Sequence, residues 1–164
     1  HADALLQLDY KEDETVLDAA ALASFVASTT PVARHMIVSS GSAAAVKLLT
    51  DSVPGMRIGY DPCSEENIAA LQRSRDYAGF VRDALAASPD AEMIYLAWEL
   101  VIELDKADFD IIAAFHAAGR RVDTWTIRTA DETTRPIVER LLALGVDQIT
   151  TDDPEGLAAL IGGP

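Results

Sequence analysis

Short apolar runs alternate with longer amphipathic segments along the whole chain. The short runs have the composition of buried strands, whereas the longer segments repeat apolar residues at the spacing of a helix. The pattern predicts strands at 4–11, 34–40, 56–62, 93–98, 121–127 and 146–151. It predicts helices at 12–28, 42–53, 64–88, 108–119 and 133–145, and a last short helix that Asp153 caps.

This alternation indicates an α/β fold in which parallel strands are joined by crossover helices. Six βα units in 164 residues take about 27 residues each, which is the spacing of a (β/α)₈ TIM barrel of about 250 residues. Six units cannot close such a barrel, so either two units are missing or the sheet is open. No linker or low-complexity tract interrupts the pattern, and we expect one domain over 1–164.

Composition and charge exclude several classes of protein. The chain is 49% hydrophobic, which is typical of a globular protein, and its net charge of −14 argues against nucleic acid or an anionic membrane surface as a partner. A single cysteine, Cys63, rules out an internal disulfide framework. No apolar stretch has the roughly 20 residues of a membrane span, and without a visible targeting segment we expect a cytoplasmic protein.

Catalytic and binding groups in parallel α/β folds gather at the carboxyl ends of the strands. Among the residues there, Asp9 and Lys11 of the run LQLDYK are two positions apart and share one face of a strand. A carboxylate suits a hard divalent cation, and an ammonium suits a phosphate oxygen. The alternative is an ion pair that ends the strand at the water interface.

Other strand ends carry weaker signals. Trp125, in WTIR (125–128), could line a ligand pocket or pack in the core. Tyr60 and Asp61 lie at the carboxyl end of another predicted strand, as do Ser39 and Ser40. None of the three histidines is placed as a general acid or base, and no serine elbow, phosphate loop or zinc spacing is present.

Two of these stretches resemble one family, the glycerophosphodiester phosphodiesterases. WTIR, a helix and then GVDQITTDDPEGL (145–157) are similar to the closing segment of that family, where "WTVN" precedes "lGVDgIiTDxP". LQLDYK is similar to the family's third strand, "lxiEiK". The two motifs stand in the right order and are separated by the right number of units.

The resemblance implies that the chain supplies strands three to eight of a TIM barrel whose first two units are missing. It implies an enzyme that hydrolyses glycerophosphodiesters to glycerol phosphate and an alcohol with a divalent metal ion, Mg²⁺ or Ca²⁺. In that reading Asp9 is a metal ligand and Lys11 binds the substrate phosphate. Trp125 contacts the glycerol side, and Arg128, where the family has asparagine, is a further substrate-binding candidate.

The resemblance also implies the direction of the side chains around LQLDYK. Gln7, Asp9 and Lys11 are expected to face the barrel interior, and the alternate residues Leu6, Leu8 and Tyr10 to face the helices. The directions of the polar residues Gln7 and Thr124 also separate a barrel from an open α/β sheet. Polar residues pointing inward would count against an open sheet, whose strands are buried on both faces.

The family's "HRG", "ExD" and "HD" motifs, which hold its catalytic histidines and other metal ligands, have no match here. We therefore expect no catalytic residue in this chain, which would be inactive alone and form the C-terminal part of a longer enzyme. The alternative is an inactive barrel fragment or pseudoenzyme that binds a partner or a phosphorylated ligand. The expected partner of the enzyme is a small-molecule phosphodiester, and homo-oligomer formation remains open.

Overall fold

Six parallel strands lie side by side in the order in which the chain makes them. A computed structural model describes residues 5–162. The strands are β1 (Leu6–Asp9), β2 (Met36–Ser39), β3 (Arg57–Tyr60), β4 (Met93–Ala97), β5 (Arg121–Ile127) and β6 (Gln148–Thr151). The helices are α1 (Ala19–Thr29), α2 (Ala43–Ser52), α3 (Glu65–Ser74), α4 (Tyr77–Ala87), α5 (Trp98–Lys106), α6 (Ile111–Ala117), α7 (Arg135–Ala143) and α8 (Pro154–Leu160).

The sheet curls into a half-barrel. Each strand pairs in parallel with the next one along the chain, as when Leu6 lies beside Met36 and Met93 lies beside Arg121. Since parallel crossovers are right-handed, connections that always advance in one direction place their helices on one face of the sheet. The predicted α/β fold with parallel strands is confirmed.

The main core lies between the convex face of the sheet and the helices. Its larger part joins β4 and β5 to the helices from α3 to α7, through fully or nearly fully buried Ile94, Leu96, Val122, Leu104, Phe115 and Leu141. A second part joins β1 and β2 to α1 and α2 around Val38, Val46 and Leu49. Leu8 and Tyr10 pack against this second part, as predicted, whereas Leu6 is 63% exposed.

The concave face carries a smaller apolar cluster. Ile37, Met93 and Tyr95 are buried there, with Leu5 and Trp125 packed against them. Polar side chains occupy the same face towards the carboxyl ends of the strands. The concave side therefore has an apolar base and a polar mouth.

Predicted helix caps are confirmed at two positions. The Ser42 hydroxyl accepts a hydrogen bond from the Ala45 amide at 3.1 Å, and the Asp153 carboxylate accepts one from the Gly156 amide at 3.0 Å. Each cap satisfies an amide that lacks a partner inside the helix. Gly119, predicted to end a helix, follows α6 with a φ of +73°.

Two predicted helices differ in the structure, and one helix was not predicted. The segment 64–88 forms two helices, because Arg75 adopts a left-handed φ of 52° and Asp76 caps α4. Helix α5 was not predicted; it begins directly after β4 with Ala97 at the cap position, so no polar residue marks its start. Over 12–28, a 3₁₀ turn at Glu14–Val16 comes first and α1 begins only at Ala19. A second 3₁₀ helix, Thr30–His35, leads into β2.

Among residues 5–162, no helix combines the length and the apolar character needed to cross a membrane.

We predict that Gly59→Ala destabilises the fold by about 1–3 kcal/mol, the usual range for overpacking. A Cβ atom at position 59 would lie 2.6 Å from Cε2 of Tyr95 and 3.2 Å from the Val38 carbonyl oxygen. The buried ring and the neighbouring strand leave little room to relax. Urea denaturation measures the change.

Gly41→Ala is the matched control, because the nearest atom to its added Cβ would be the Asp61 carbonyl oxygen at 3.8 Å. It should change the free energy of unfolding by less than about 0.5 kcal/mol. Equal stabilities for Gly59→Ala and Gly41→Ala would contradict the close approach of β3 and β4.

Candidate functional site

All six strands contribute to a small cavity at the mouth of the half-barrel. Its volume is about 100 Å³. It is lined by Gln7, Asp9 and Lys11 from β1 and the residues after it, Ser39 from β2, Asp61 after β3, Tyr95 from β4, Trp125 and Thr126 from β5, and Thr150 from β6. The parallel arrangement brings these residues together, because every strand ends at the same edge.

Asp9 and Lys11 form an ion pair at this mouth. Lys11 Nζ lies 2.5 Å from Asp9 Oδ2, and the two side chains are 78% and 45% exposed. Such an exposed pair contributes only about 0–1 kcal/mol, so the ammonium is readily released to another anion. Gln7 lines the same cavity and donates a hydrogen bond to Ser39 Oγ at 2.9 Å. The predicted inward face of β1 is confirmed.

Two carboxyl groups belong to the mouth and its base, half-buried Asp61 and fully buried Asp123. Asp61 Oδ1 accepts a hydrogen bond from the Cys63 amide at 2.8 Å. Burial raises the pKa of Asp61 to about 6, and the nearby charge of Asp9 adds to the rise. Asp123 is fully buried, and the Thr150 hydroxyl lies 3.0 Å from both of its oxygens. Burial raises the pKa of Asp123 to about 7.

Asp61 was predicted among the strand-end residues, whereas Asp123 was not. Asp123 lies inside β5, two residues before Trp125, so it points to the same face as that ring. The sequence did contain a signal for Asp123: an acidic residue two positions before a tryptophan that lines the cavity shares its face of the strand. Thr124, which alternates with them, is fully buried on the opposite face, so of Gln7 and Thr124 only Gln7 is the inward polar residue that counts against an open sheet.

Two aromatic side chains form a wall of the cavity. Trp125 lines it with its indole Nε1 buried and without a hydrogen-bond partner. Tyr95 is 3% exposed, and its pKa is raised first by burial and then by the charges of Asp123 and Asp9. The phenol oxygen therefore lies in the field of carboxylates from β5 and β1.

Arg128 is placed differently from the other predicted site residues. Its side chain is 83% exposed, it does not line the cavity, and its guanidinium lies 3.6 Å from Asp152 Oδ2. Asp9, Lys11 and Trp125 are brought together, whereas Arg128 stands on the outer rim.

The residues present do not by themselves fit a metal ion. Within 5–162, no group of three or more histidine, cysteine, aspartate or glutamate side chains is arranged to hold one. The described histidines do not line the cavity either. His116 lies 2.8 Å from Asp147 Oδ2, which also accepts the amide of Val122 near the amino end of β5, and His35 immediately precedes β2. His1 lies outside the described residues.

Comparison with solved structures identifies similar folds. A protein from Galdieria sulphuraria, described as a glycerophosphodiester phosphodiesterase, superposes with a TM-score of 0.70 at 17% identity, over 97% of this chain and 57% of that one. The glycerophosphodiester phosphodiesterases of Parabacteroides distasonis and Agrobacterium tumefaciens C58 give TM-scores of 0.64 and 0.59 at 16% and 19% identity, over 96% and 98% of this chain and 57% of each of theirs.

With TM-scores of 0.59 to 0.70 at identities of 16% to 19%, these similarities establish the fold alone. The chain spans between 50% and 57% of the length of the similar solved structures. No protein-family model and no curated protein matches the sequence.

We predict that the Asp123→Asn variant loses less stability than the unsubstituted chain as the pH rises. The pKa of Asp123 is raised in the folded state, so its contribution is full below the unfolded pKa of about 4 and is lost as pH rises through about 7. Asparagine keeps the shape without the ionisation. From pH 4.5 to pH 8, the free energy of unfolding of the variant should rise by about 2 kcal/mol or more relative to that of the unsubstituted chain.

Chemical denaturation at a series of pH values measures this gain. Asp90→Asn, at an exposed turn, is the control and should follow the unsubstituted chain. A constant difference between Asp123→Asn and the unsubstituted chain across this range would show that Asp123 does not titrate there.

Proposed function

We propose that this chain forms the phosphate-binding part of a metal-dependent glycerophosphodiester phosphodiesterase, which hydrolyses its substrate to glycerol phosphate and an alcohol. The observation that carries the proposal is the cavity that joins Asp9, Lys11 and Trp125 at the mouth of the half-barrel. Structural neighbours described as phosphodiesterases of this kind support it.

The six strands would correspond to strands three to eight of an eight-stranded barrel, with two βα units before β1. Uncovered apolar surface at both edges of the half-barrel supports this arrangement. At the β1 edge, Leu6 is 63% exposed, and α1 has no charged residue and only Thr29 buried. At the β6 edge, Ile161 is 52% exposed, and α8 has no buried residue. Further barrel units would cover these edges.

Lys11 would stabilise negative charge on the phosphoryl oxygens. Its ammonium lies at the mouth and, among residues 5–162, pairs only with the exposed Asp9, so a phosphate can compete for it. Preorganised positive charge at the site where negative charge develops is a large source of rate enhancement. Trp125 would orient the alcohol portion against the apolar base of the concave face.

Metal dependence is the part of the proposal that needs residues beyond those described. Asp9 would provide one carboxylate to Mg²⁺ or Ca²⁺, which prefer oxygen ligands, and the remaining ligands would come from the two further units. Such an ion would supply Lewis-acid polarisation of the phosphate. The general acid and base would also come from those units, so 1–164 alone would be inactive.

We predict that Lys11→Ala in the full-length protein lowers kcat/KM for glycerophosphocholine by about 10²-fold or more, because a charge-stabilising donor is lost. Asp9→Ala should lower it to a similar extent and weaken the response to added Mg²⁺ or Ca²⁺. The assay is release of glycerol 3-phosphate. Full activity in Asp9→Ala would overturn the role of Asp9.

Arg128→Ala is the comparison variant on the rim. Because its guanidinium is 83% exposed and outside the cavity, we expect less than about a threefold change in kcat/KM, as for other solvent-exposed ion pairs. A loss as large as that of Lys11→Ala would show that Arg128 turns inward to the phosphate.

A second candidate function is a binding protein without turnover. The absence of any cavity-lining histidine among the described residues favours it. Saturable binding of glycerol 3-phosphate by full-length protein that releases no product with any divalent metal would support this function and overturn the enzymatic one.

A further inference from the structure

Helices α3 and α4 enclose a groove on the convex side of the sheet, which we call the outer groove. The chain turns between the two helices at Arg75, whose φ of 52° is left-handed, and Asp76 caps α4. The groove has a volume of about 410 Å³, against about 100 Å³ for the cavity at the mouth. Its lining residues come from the end of β3 and from both helices, and none of the described residues lines both spaces. The outer groove is therefore separate from the proposed phosphate site.

The floor of the outer groove is apolar and includes one tyrosine. Leu71, Phe80 and Ala84 line it and are at most 9% exposed. Tyr60 is 5% exposed, and its hydroxyl makes no hydrogen bond with another residue among 5–162. The Tyr60 ring packs in the helix-facing core, so its hydroxyl can find a partner only through the groove. Because buried polar side chains normally have partners, this hydroxyl points to a hydrogen-bonding ligand in the groove.

The polar side chains around this floor offer hydrogen-bond acceptors. The Asn67 amide nitrogen donates to the Pro62 carbonyl at 3.0 Å, and its own carbonyl oxygen has no donor among the described residues. Asp76 Oδ1 accepts the Gly79 amide at 2.8 Å, which leaves Oδ2 without a hydrogen bond. Asp83 adds a second carboxylate to the lining. A ligand that donates hydrogen bonds suits this set of groups.

The outer groove is also negatively charged. Asp76 and Asp83 line it, whereas no lysine or arginine in the described part of the chain does. The guanidinium of Arg82 lies 4.0 Å from Asp76 and 3.3 Å from Asp83, but its side chain is 68% exposed and outside the groove. Exposed ion pairs of this kind are weak, so a cationic ligand can compete with Arg82 for both carboxylates.

We infer that the outer groove binds a primary organic ammonium with an apolar body, held by Tyr60, Asp76 and Asp83. An ammonium group carries three N–H donors and a positive charge, which match the phenol oxygen and the two carboxylates. The apolar body covers Leu71 and Phe80, which form the floor. A volume of about 410 Å³ lies in the range of small-molecule sites, which are mostly apolar with a few polar groups that fix the ligand. An anionic ligand would be repelled by the same carboxylates.

The test compares phenethylammonium with 2-phenylethanol and 3-phenylpropionate, which share a phenyl ring and a two-carbon chain and differ in charge. Binding to full-length protein is followed by the ¹⁵N–¹H amide signals of Ser74 and Gly79, which line the outer groove. Phenethylammonium should bind at least about fivefold more tightly than 2-phenylethanol, because only the ammonium pairs with the two carboxylates. The anionic 3-phenylpropionate should leave these signals unchanged.

Tyr60→Phe should weaken the binding of phenethylammonium by about tenfold, because a charged donor loses its acceptor. Tyr77→Phe is the matched control: the Tyr77 ring lies 5.4 Å from that of Phe109 and does not line the outer groove, so binding should stay. Asp76→Asn is a second variant in case Tyr60→Phe fails to give a folded amide spectrum. Asparagine also caps helices, and loss of the charge should weaken binding by about threefold or more.

Weaker binding in Tyr60→Phe and Asp76→Asn, with binding kept in Tyr77→Phe, would support the inference. Equal binding of phenethylammonium and 2-phenylethanol, no saturable shift with phenethylammonium, or unchanged binding in both groove variants would overturn it. Shifts confined to the amides of Ser39 and Thr150 would also overturn it, because they would place the ammonium at the mouth. None of these results bears on the proposed phosphate site at Lys11, since the outer groove does not include that residue.

Discussion

The structure depends on one constraint: each parallel strand is joined by a crossover to its immediate neighbour, always in the same direction. A right-handed crossover of this kind sends every helix to the convex face. The strands gain their apolar cover there, through residues such as Ile94 and Val122. No helix packs against the concave face in the part of the chain that the structure describes, so polar groups can lie there at the carboxyl ends of the strands.

On the concave face, apolar side chains pack at the base and polar side chains lie nearer the mouth. Ile37 and Met93 fill its base, and the aromatic rings of Tyr95 and Trp125 rise from that base to the mouth. Asp123 is buried beneath the mouth with Thr150 as its donor, so burial favours its protonated form. Buried polar groups normally find partners within the fold. The buried indole Nε1 of Trp125 has no such partner among the described residues, so the cavity is lined by one unpaired hydrogen-bond donor.

The ion pair of the mouth lies at one edge of the sheet and not at its centre. Lys11 and Asp9 stand at the exposed end of β1, which is also an edge strand of the half-barrel. An ammonium, carboxylates and aromatic side chains line the cavity, while the described residues provide neither a cluster of metal ligands nor a histidine there. The chain spans 50% to 57% of the length of the similar solved structures.

The sequence by itself determined the six strands, their parallel pairing and the inward face of LQLDYK, because hydrophobic period and helix caps are local signals. Asp9, Lys11 and Trp125 were predicted from strand ends and motifs, since parallel strands end at one edge. Only the tertiary structure decided that Arg128 stays on the rim, that α5 starts without a polar cap, and that Asp123 and Tyr95 lie beneath the mouth. These features depend on packing between strands far apart in the chain, and burial, which no local pattern records, sets the ionisation and pairing of each buried group.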